Sequence, residues 1–336
     1  MPHAKRHTPR SAIAEPTRRT FLHTGTGAVS MMIAPAFLDF GPSRTAQATP
    51  IEALETKEVA PGVYVHTGDH ALYTPDNHGD ISNAGFIIGN NAVAVIDTSG
   101  SYHVGNRLRA AVLARTDRPV RYVINTHMHP DHVFGNAAFE DPATAILAHH
   151  KMARGLSARA ERYISINREN MGAAAFEGTR IVLPTRGLAT SETLDLGGRK
   201  LVLTPRTTAH TDNDLTVFDE KTATLFAGDL VFSGHTPTLD GSILGWSKVL
   251  AELQAQKPAL IVPGHGPAAL ALDDALTPMN TYLSAVISGV RAAIENGQTL
   301  REAVENVGWE QKDDWKLFSE YHGRNISAAY AELEWE

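Results

Sequence analysis

Thr126-His127-Met128-His129-Pro130-Asp131-His132, residues 126–132, places four metal-ligating side chains within six positions, in the pattern His-x-His-x-Asp-His. Val120, Tyr122, Val123 and Ile124 lead into it and read as a buried β-strand. Gly135 and Asn136 follow, so the motif sits on the turn after a strand. Such loops are where α/β folds carry chemistry, because the sheet holds them rigidly. The i, i+2 spacing aims His127 and His129 at one ion. Pro130 then bends the chain and sends Asp131 and His132 toward a second position. Three imidazoles and a carboxylate suit Zn²⁺ or Fe²⁺ far better than Ca²⁺ or Mg²⁺. A histidine-rich surface loop is the competing reading, but clustered imidazoles at a strand end have no packing reason to be there.

Strands and helices alternate on either side of this loop. Apolar runs predict strands over 63–67, 84–88, 92–96, 143–147, 180–183, 200–203, 215–218, 223–226 and 260–262. Helical spacing predicts helices over 103–113 and 243–256. Residues 73–82, with Pro75, Asn77, Gly79 and Asp80, read as a mobile loop. Residues 150–177 are rich in helix formers and arginine. They read first as a packing helix with a solvated basic face, and second as an insertion walling the active site. After 270 the chain turns helical: Thr277-Pro278 marks a helix start and Gly297 a stop. Thr299 to Glu302 forms a capping box, and Tyr330, Leu333 and Trp335 give an amphipathic last helix.

If the first loop serves two ions, other strand ends must complete the set, and three do. His210 follows the strand at 200–203, Asp229 follows 223–226, and His265 follows 260–262. Glycine beside Asp229 and on both sides of His265 allows tight turns. His235 reads as a surface-loop histidine, His66, His70 and His78 as rim residues, His149 and His150 as a surface pair, and His322 as structural. Asp212 reads equally as a partner of a ligand histidine or as a turn former.

With no cysteine, no disulfide or thiolate ligand exists, and any metal must be held by His, Asp or Glu. A formal charge of −7 without a basic stripe argues against nucleic acid as a partner. Residues 1–48 carry Arg18-Arg19 before Phe21-Leu22, an apolar stretch from 25 to 40, and Ala46-Gln47-Ala48. That order resembles a cleaved twin-arginine export signal, which predicts a periplasmic protein without a stable membrane anchor. Cleavage removes six of the 30 Lys/Arg and two of the 37 Asp/Glu, leaving a charge of −11.

The ordered set His127-x-His129-x-Asp131-His132, His210, Asp229 and His265 resembles the metallo-β-lactamase superfamily. The resemblance implies an α/β fold, an αββα four-layer sandwich over 49–270 with extra C-terminal helices over 271–336 packed on the same domain. It also implies two Zn²⁺ per chain, with Fe²⁺ or Mn²⁺ as other occupants. By analogy His127, His129 and His210 hold one ion, Asp131, His132 and His265 the other, and Asp229 bridges them. Asp97 supports the ligand histidines from behind. A hydroxide shared by the ions would attack an ester, thioester, amide or phosphoester of a small-molecule substrate, with Asp131 orienting it and returning a proton. The stretches 125–139, 210–214 and 332–335 are similar to the exported quinoprotein relay system zinc metallohydrolases, which implies a link to a periplasmic quinoprotein dehydrogenase. Zinc β-lactamases place Cys or Ser where this chain has Asp229, which argues against β-lactam hydrolysis as the leading activity and leaves it an alternative, as a side or a main reaction. The remaining alternatives are a persulfide dioxygenase-like oxidoreductase holding one iron and a non-catalytic relay component with a structural metal.

Overall fold

The computed structural model describes residues 51–336; the expected signal over 1–48 lies outside them. Two mixed sheets carry the fold. The first has seven strands in order: β1 (Lys57–Ala60), β2 (Val63–His66), β3 (Ala84–Ile88), β4 (Val93–Ile96), β5 (Val120–Ile124), β6 (Ala145–His149) and β7 (Arg186–Leu188). The second has five: β8 (Glu192–Asp195), β9 (Lys200–Pro205), β10 (Leu215–Asp219), β11 (Thr224–Phe232) and β12 (Leu260–His265), in the order β12-β11-β10-β9-β8. Antiparallel hairpins build the outer part of each sheet. The parallel pairs β4–β5, β5–β6, β6–β7 and β11–β12 lie where crossover connections occur, and the carboxyl ends of β4, β5, β11 and β12 carry aspartate and histidine of the cluster.

Val63, Ile87, Ile96, Ile124 and Leu147 of the first sheet face Leu201, Leu203, Leu215, Val217 and Phe226 of the second, forming the inner core. Each sheet buries its other face under helices. Val104, Leu108 and Val112 of α1 (Tyr102–Leu113) cover Phe86, Val93, Val95 and Val123. Trp246, Val249, Leu250 and Leu253 of α4 (Ile243–Gln256) cover the second sheet. The short α2 (Pro130–Val133) continues the histidine loop, and α3 (Met152–Ala175) packs Met152, Leu156 and Met171 onto it. The result is an αββα sandwich. Residues 272–333 add α5 (Leu272–Glu295), α6 (Leu300–Asn306) and α7 (Phe318–Leu333), whose apolar faces share one core with α4 and β11.

Several expectations are corrected. No strand forms over 180–183; β7 forms an edge of the first sheet and β8 an edge of the second, both too short and polar to stand out. Pro278 lies inside α5, which starts six residues earlier, where Asp273 and Asp274 in the first turn complement the helix dipole. Buried Ala275, Leu276, Met279 and Tyr282 hold the helix through the proline. The last helix buries Asn325, Ile326, Ala329 and Leu333, whereas Trp335 is 84% exposed. The 73–82 loop is tied down: Asn77 bonds to Leu72, Thr74 and Gly79, and His66 Nε2 meets Asp80 Oδ1 at 2.8 Å. The capping box forms as expected, with Thr299 and Glu302 each satisfying the other's backbone N–H. Among the described residues no helix is long and apolar enough to cross a membrane.

Candidate metal centre

Ligand atoms converge in two adjoining groups. His127, His129, His210 and Asp229 form one, and Asp131, His132 and His265 the other. Asp229 touches both. Its Oδ2 is 3.7 Å from His127 Nε2 and 3.5 Å from both His210 Nε2 and His265 Nε2, while its Oδ1 is 3.0 Å from His132 Nε2. Asp131 Oδ2 lies 3.4 Å from His132 Nε2 and 3.2 Å from His265 Nε2. His129 Nδ1 approaches His210 Nε2 to 3.0 Å. All seven predicted ligands are therefore together. Asp229 sits within β11, not beyond it, because β11 runs on through a bulge at Gly228. Gly228 has φ +54, and a Cβ there would strike the Thr126 side chain.

Each imidazole is aimed by its outward nitrogen. His132 Nδ1–H donates to Asp97 Oδ2 at 2.8 Å, His210 Nδ1–H to the Thr238 carbonyl at 2.6 Å, and His265 Nδ1–H to the Ile81 carbonyl at 2.8 Å. His129 uses the opposite ring edge, donating Nε2–H to Asp240 Oδ2 at 3.2 Å. Thr126 Oγ1 donates to Asp97 Oδ2 at 2.7 Å and accepts from His127 Nδ1–H at 3.0 Å. Asp97 thus orients two histidines, one directly and one through Thr126, and its own φ of +55 is a conformation aspartate tolerates better than most residues. In the neutral rings these bonds select the tautomer whose inward nitrogen carries the lone pair. Among the described residues Asp212 forms no hydrogen bond or ion pair with a histidine; it accepts from Asn213 Nδ2.

Three of the inward atoms lack hydrogen-bond partners. His127 Nε2, His132 Nε2 and Asp229 Oδ1 are buried without a hydrogen bond, a costly state unless a ligand satisfies them. Burial pushes His127 well down and His210 to about 4, so both are neutral donors. Burial also works against charge on His132 and His265, but Asp229 and Asp131 outweigh it, lifting His132 well up and His265 to about 9. Both carboxyls stay well below their usual range because those imidazoles overcome the cost of burial. The site demands cationic charge, and a donor set of nitrogen and oxygen suits a divalent transition ion.

Above this cluster lies a cavity of about 440 Å³. Its walls differ from the sequence expectation. His235 is buried, not a surface residue: Nδ1 bonds to the Thr236 carbonyl, the ring stacks on His265 at 4.7 Å, and burial pushes it down to about 3. His149 is buried too, while His150 is exposed. His322 is structural, bonded to Tyr282 and the Val307 carbonyl. Helix α3 both packs and walls the cavity, presenting Arg159, Arg162 and Tyr163. Tyr321, Arg324 and Asn325 of α7 line it from the other side. The i, i+3, i+4 spacing of the α3 trio marks one helix face; nothing local marks the α7 residues or Asp240.

A sequence profile of the metallo-beta-lactamase superfamily matches residues 78–265. The chain is 23% identical over 202 residues to the Caenorhabditis elegans beta-lactamase-like protein 2 homolog, covering 59% of each chain, so it spans well under two thirds of that relative. A metallo-beta-lactamase from Pontibacter korlensis superposes with a TM-score of 0.54 at 21% identity, over 69% of this chain and 99% of that one. A double mutant of the sec-alkyl sulfatase PisA1 gives 0.64 at 17%, over 84% of this chain and 51% of that one. With the profile spanning more than half of the sequence and both sheets, the chain belongs to the metallo-beta-lactamase superfamily.

Proposed function

We propose that this metal-dependent hydrolase is a dinuclear zinc enzyme of the periplasm that cleaves an ester, thioester, amide or phosphoester bond in a small molecule. The single observation that carries the reading is Asp229, whose two oxygens face both ligand groups at 3.0–3.7 Å. His127, His129 and His210 would hold one Zn²⁺, Asp131, His132 and His265 the other, with Asp229 between them. Such an ion pair supplies a water of lowered pKa and a Lewis acid for the oxygen under attack. The chain's own groups do the rest. Asp131 is ionised, lines the cavity, and stands ready to orient water and carry a proton to the leaving group. Its backbone is pinned, since Ser82 Oγ donates to the Asp131 carbonyl at 2.5 Å. Ile81, Pro130, Phe232 and Leu239 give the cavity apolar walls that thin out bulk water. Export through residues 1–48, and a substrate arising from a quinoprotein dehydrogenase system, belong to the same proposal.

Metal analysis of the purified protein, with thioester, lactone, cephalosporin and phosphodiester assays on that sample, is the test. Two zinc ions per chain are expected, against one iron for an oxidoreductase. Asp229→Ala should lose metal and hydrolysis together, by about a hundredfold or more in rate. Full activity in metal-free protein would overturn the reading.

A further inference from the structure

The cavity mouth carries a charge pattern that the hydrolytic centre does not use. Arg159 and Arg162 line it from α3, and Arg324 from α7, so three arginines come to one cavity from two elements far apart in sequence. Arg159 shares Asp240 at 3.5 Å with His129, so part of its charge is answered. Among the described residues, neither Arg162 nor Arg324 forms an ion pair or a side-chain hydrogen bond. Asp240 is the one carboxylate of the lining outside the ligand set. Three arginines against one free carboxylate give this lining a positive balance in a chain of net charge −7.

A second, independent feature points to a bound acceptor. Tyr73 lines the same cavity, and its hydroxyl is buried without a hydrogen-bond partner. Burial pushes it well above the ordinary tyrosine value, with Asp131 adding to the effect, so it remains an O–H donor. A buried donor with no acceptor is costly and rare. Oxygen atoms of a ligand would complete it.

We propose, on the reading that the centre is hydrolytic, that its substrate carries an anionic oxygen group, a carboxylate or a phosphate or sulfate, remote from the scissile bond. Arg162 and Arg324 hold that group at the mouth and place the bond over Asp131 and Asp229. Guanidinium forks suit planar and tetrahedral oxyanions alike, and charge-assisted bonds of this kind are the strong ones. The field of the rim also draws an anion toward an otherwise acidic protein. Arg159, already engaged by Asp240, shapes the wall.

Matched 4-nitrophenyl esters tested on the zinc-loaded protein decide the matter. The butyrate and glutarate monoesters differ only in a terminal carboxylate, and a third ester carries a terminal phosphonate instead. At least one anionic ester should exceed butyrate by about tenfold or more in kcat/KM, mainly through KM, and the better of the two names the anion. The double variant Arg162→Gln/Arg324→Gln should bring the ratio close to one. Arg154→Gln, exposed on α3 away from the cavity, should leave it as in the parent. Isothermal titration with N-methylglutaramate and neutral N-methylbutyramide gives a readout without turnover, and the anion should bind about tenfold more tightly only when both arginines are present. Esters cleaved without charge preference, or a preference surviving the double variant, would overturn the inference and leave hydrolysis standing. Selective binding of the anionic amide with no ester cleaved would instead support the inference while removing the carbonyl-hydrolysis reading.

Discussion

Asp97 concentrates in one side chain the work of orienting two imidazoles. Its Oδ1 accepts from the Thr126 backbone N–H at 2.8 Å, and its Oδ2 accepts from Thr126 Oγ1 and from His132 Nδ1–H. Asparagine has one acceptor oxygen where aspartate has two. In Asp97→Asn either Thr126 or His132 loses its partner, and His127, steadied through Thr126, loosens with it. The expected outcome is a 10- to 100-fold loss of zinc affinity, measured by competition with a chelating dye, with far-ultraviolet circular dichroism unchanged. Unchanged affinity would show that ring packing alone orients the histidines. At this scale the sequence was most legible. The six-residue spacing of the loop and the placement of His210, Asp229 and His265 near strand ends are local signals, and the structure brings those residues together. Asp240 and Thr126 were not legible. An aspartate in a loop 111 residues from His129 carries no mark of its partner, and a threonine beside a histidine reads as strand filler.

Elements were read best where one face decides the fold. Helix α4 shows buried Ile243, Trp246, Val249, Leu250 and Leu253 at helical spacing, and its span matches the pattern. The 180–183 strand failed because a four-residue apolar run says nothing about whether a neighbouring strand lies within bonding reach. The loop between β2 and β3 was misread as mobile because its anchors, Asp80 to His66 and Ser82 to the Asp131 carbonyl, are contacts across the fold. The first of these anchors is titratable. Burial works against charge on His66, yet the Asp80 carboxylate outweighs it and the ring's pKa rises above the ordinary 6.5. A raised folded value means the pair contributes stability fully below the unfolded pKa and loses it as pH rises through the folded one. Urea midpoints of the parent should therefore fall relative to Asp80→Asn as pH rises from the unfolded value of 6.5 through the raised folded one. Parallel profiles for the two proteins would show that the loop is held by its uncharged bonds alone.

The whole molecule joins two sheets whose contact is an apolar layer along their length and a polar cluster at one end. His127, His129, Asp131 and His132 come from the chain of the first sheet, and His210, Asp229 and His265 from that of the second. Ions seated in this cluster would therefore tie the halves together as well as serve chemistry. Helix α7 extends the tie: Glu332 accepts from Ser242 Oγ and the Ile243 N–H, capping α4, while Tyr321 and Arg324 reach the cavity. That dual duty of the C-terminal helices escaped the sequence, since an amphipathic pattern reports a buried face and not what the exposed one overlooks. A ligand that binds only the folded state at a thousand times its dissociation constant adds about 4 kcal/mol. For a chain of this size that corresponds to a shift of about 7 °C in melting temperature. Chelation of the zinc-loaded protein should lower its Tm by about that amount in calorimetry, and added zinc should restore it. In Asp229→Ala, which severs the link between the two ligand groups, zinc should raise the Tm by less than half as much. An equal zinc response in that variant would mean that the ions sit within one half of the fold and bridge nothing.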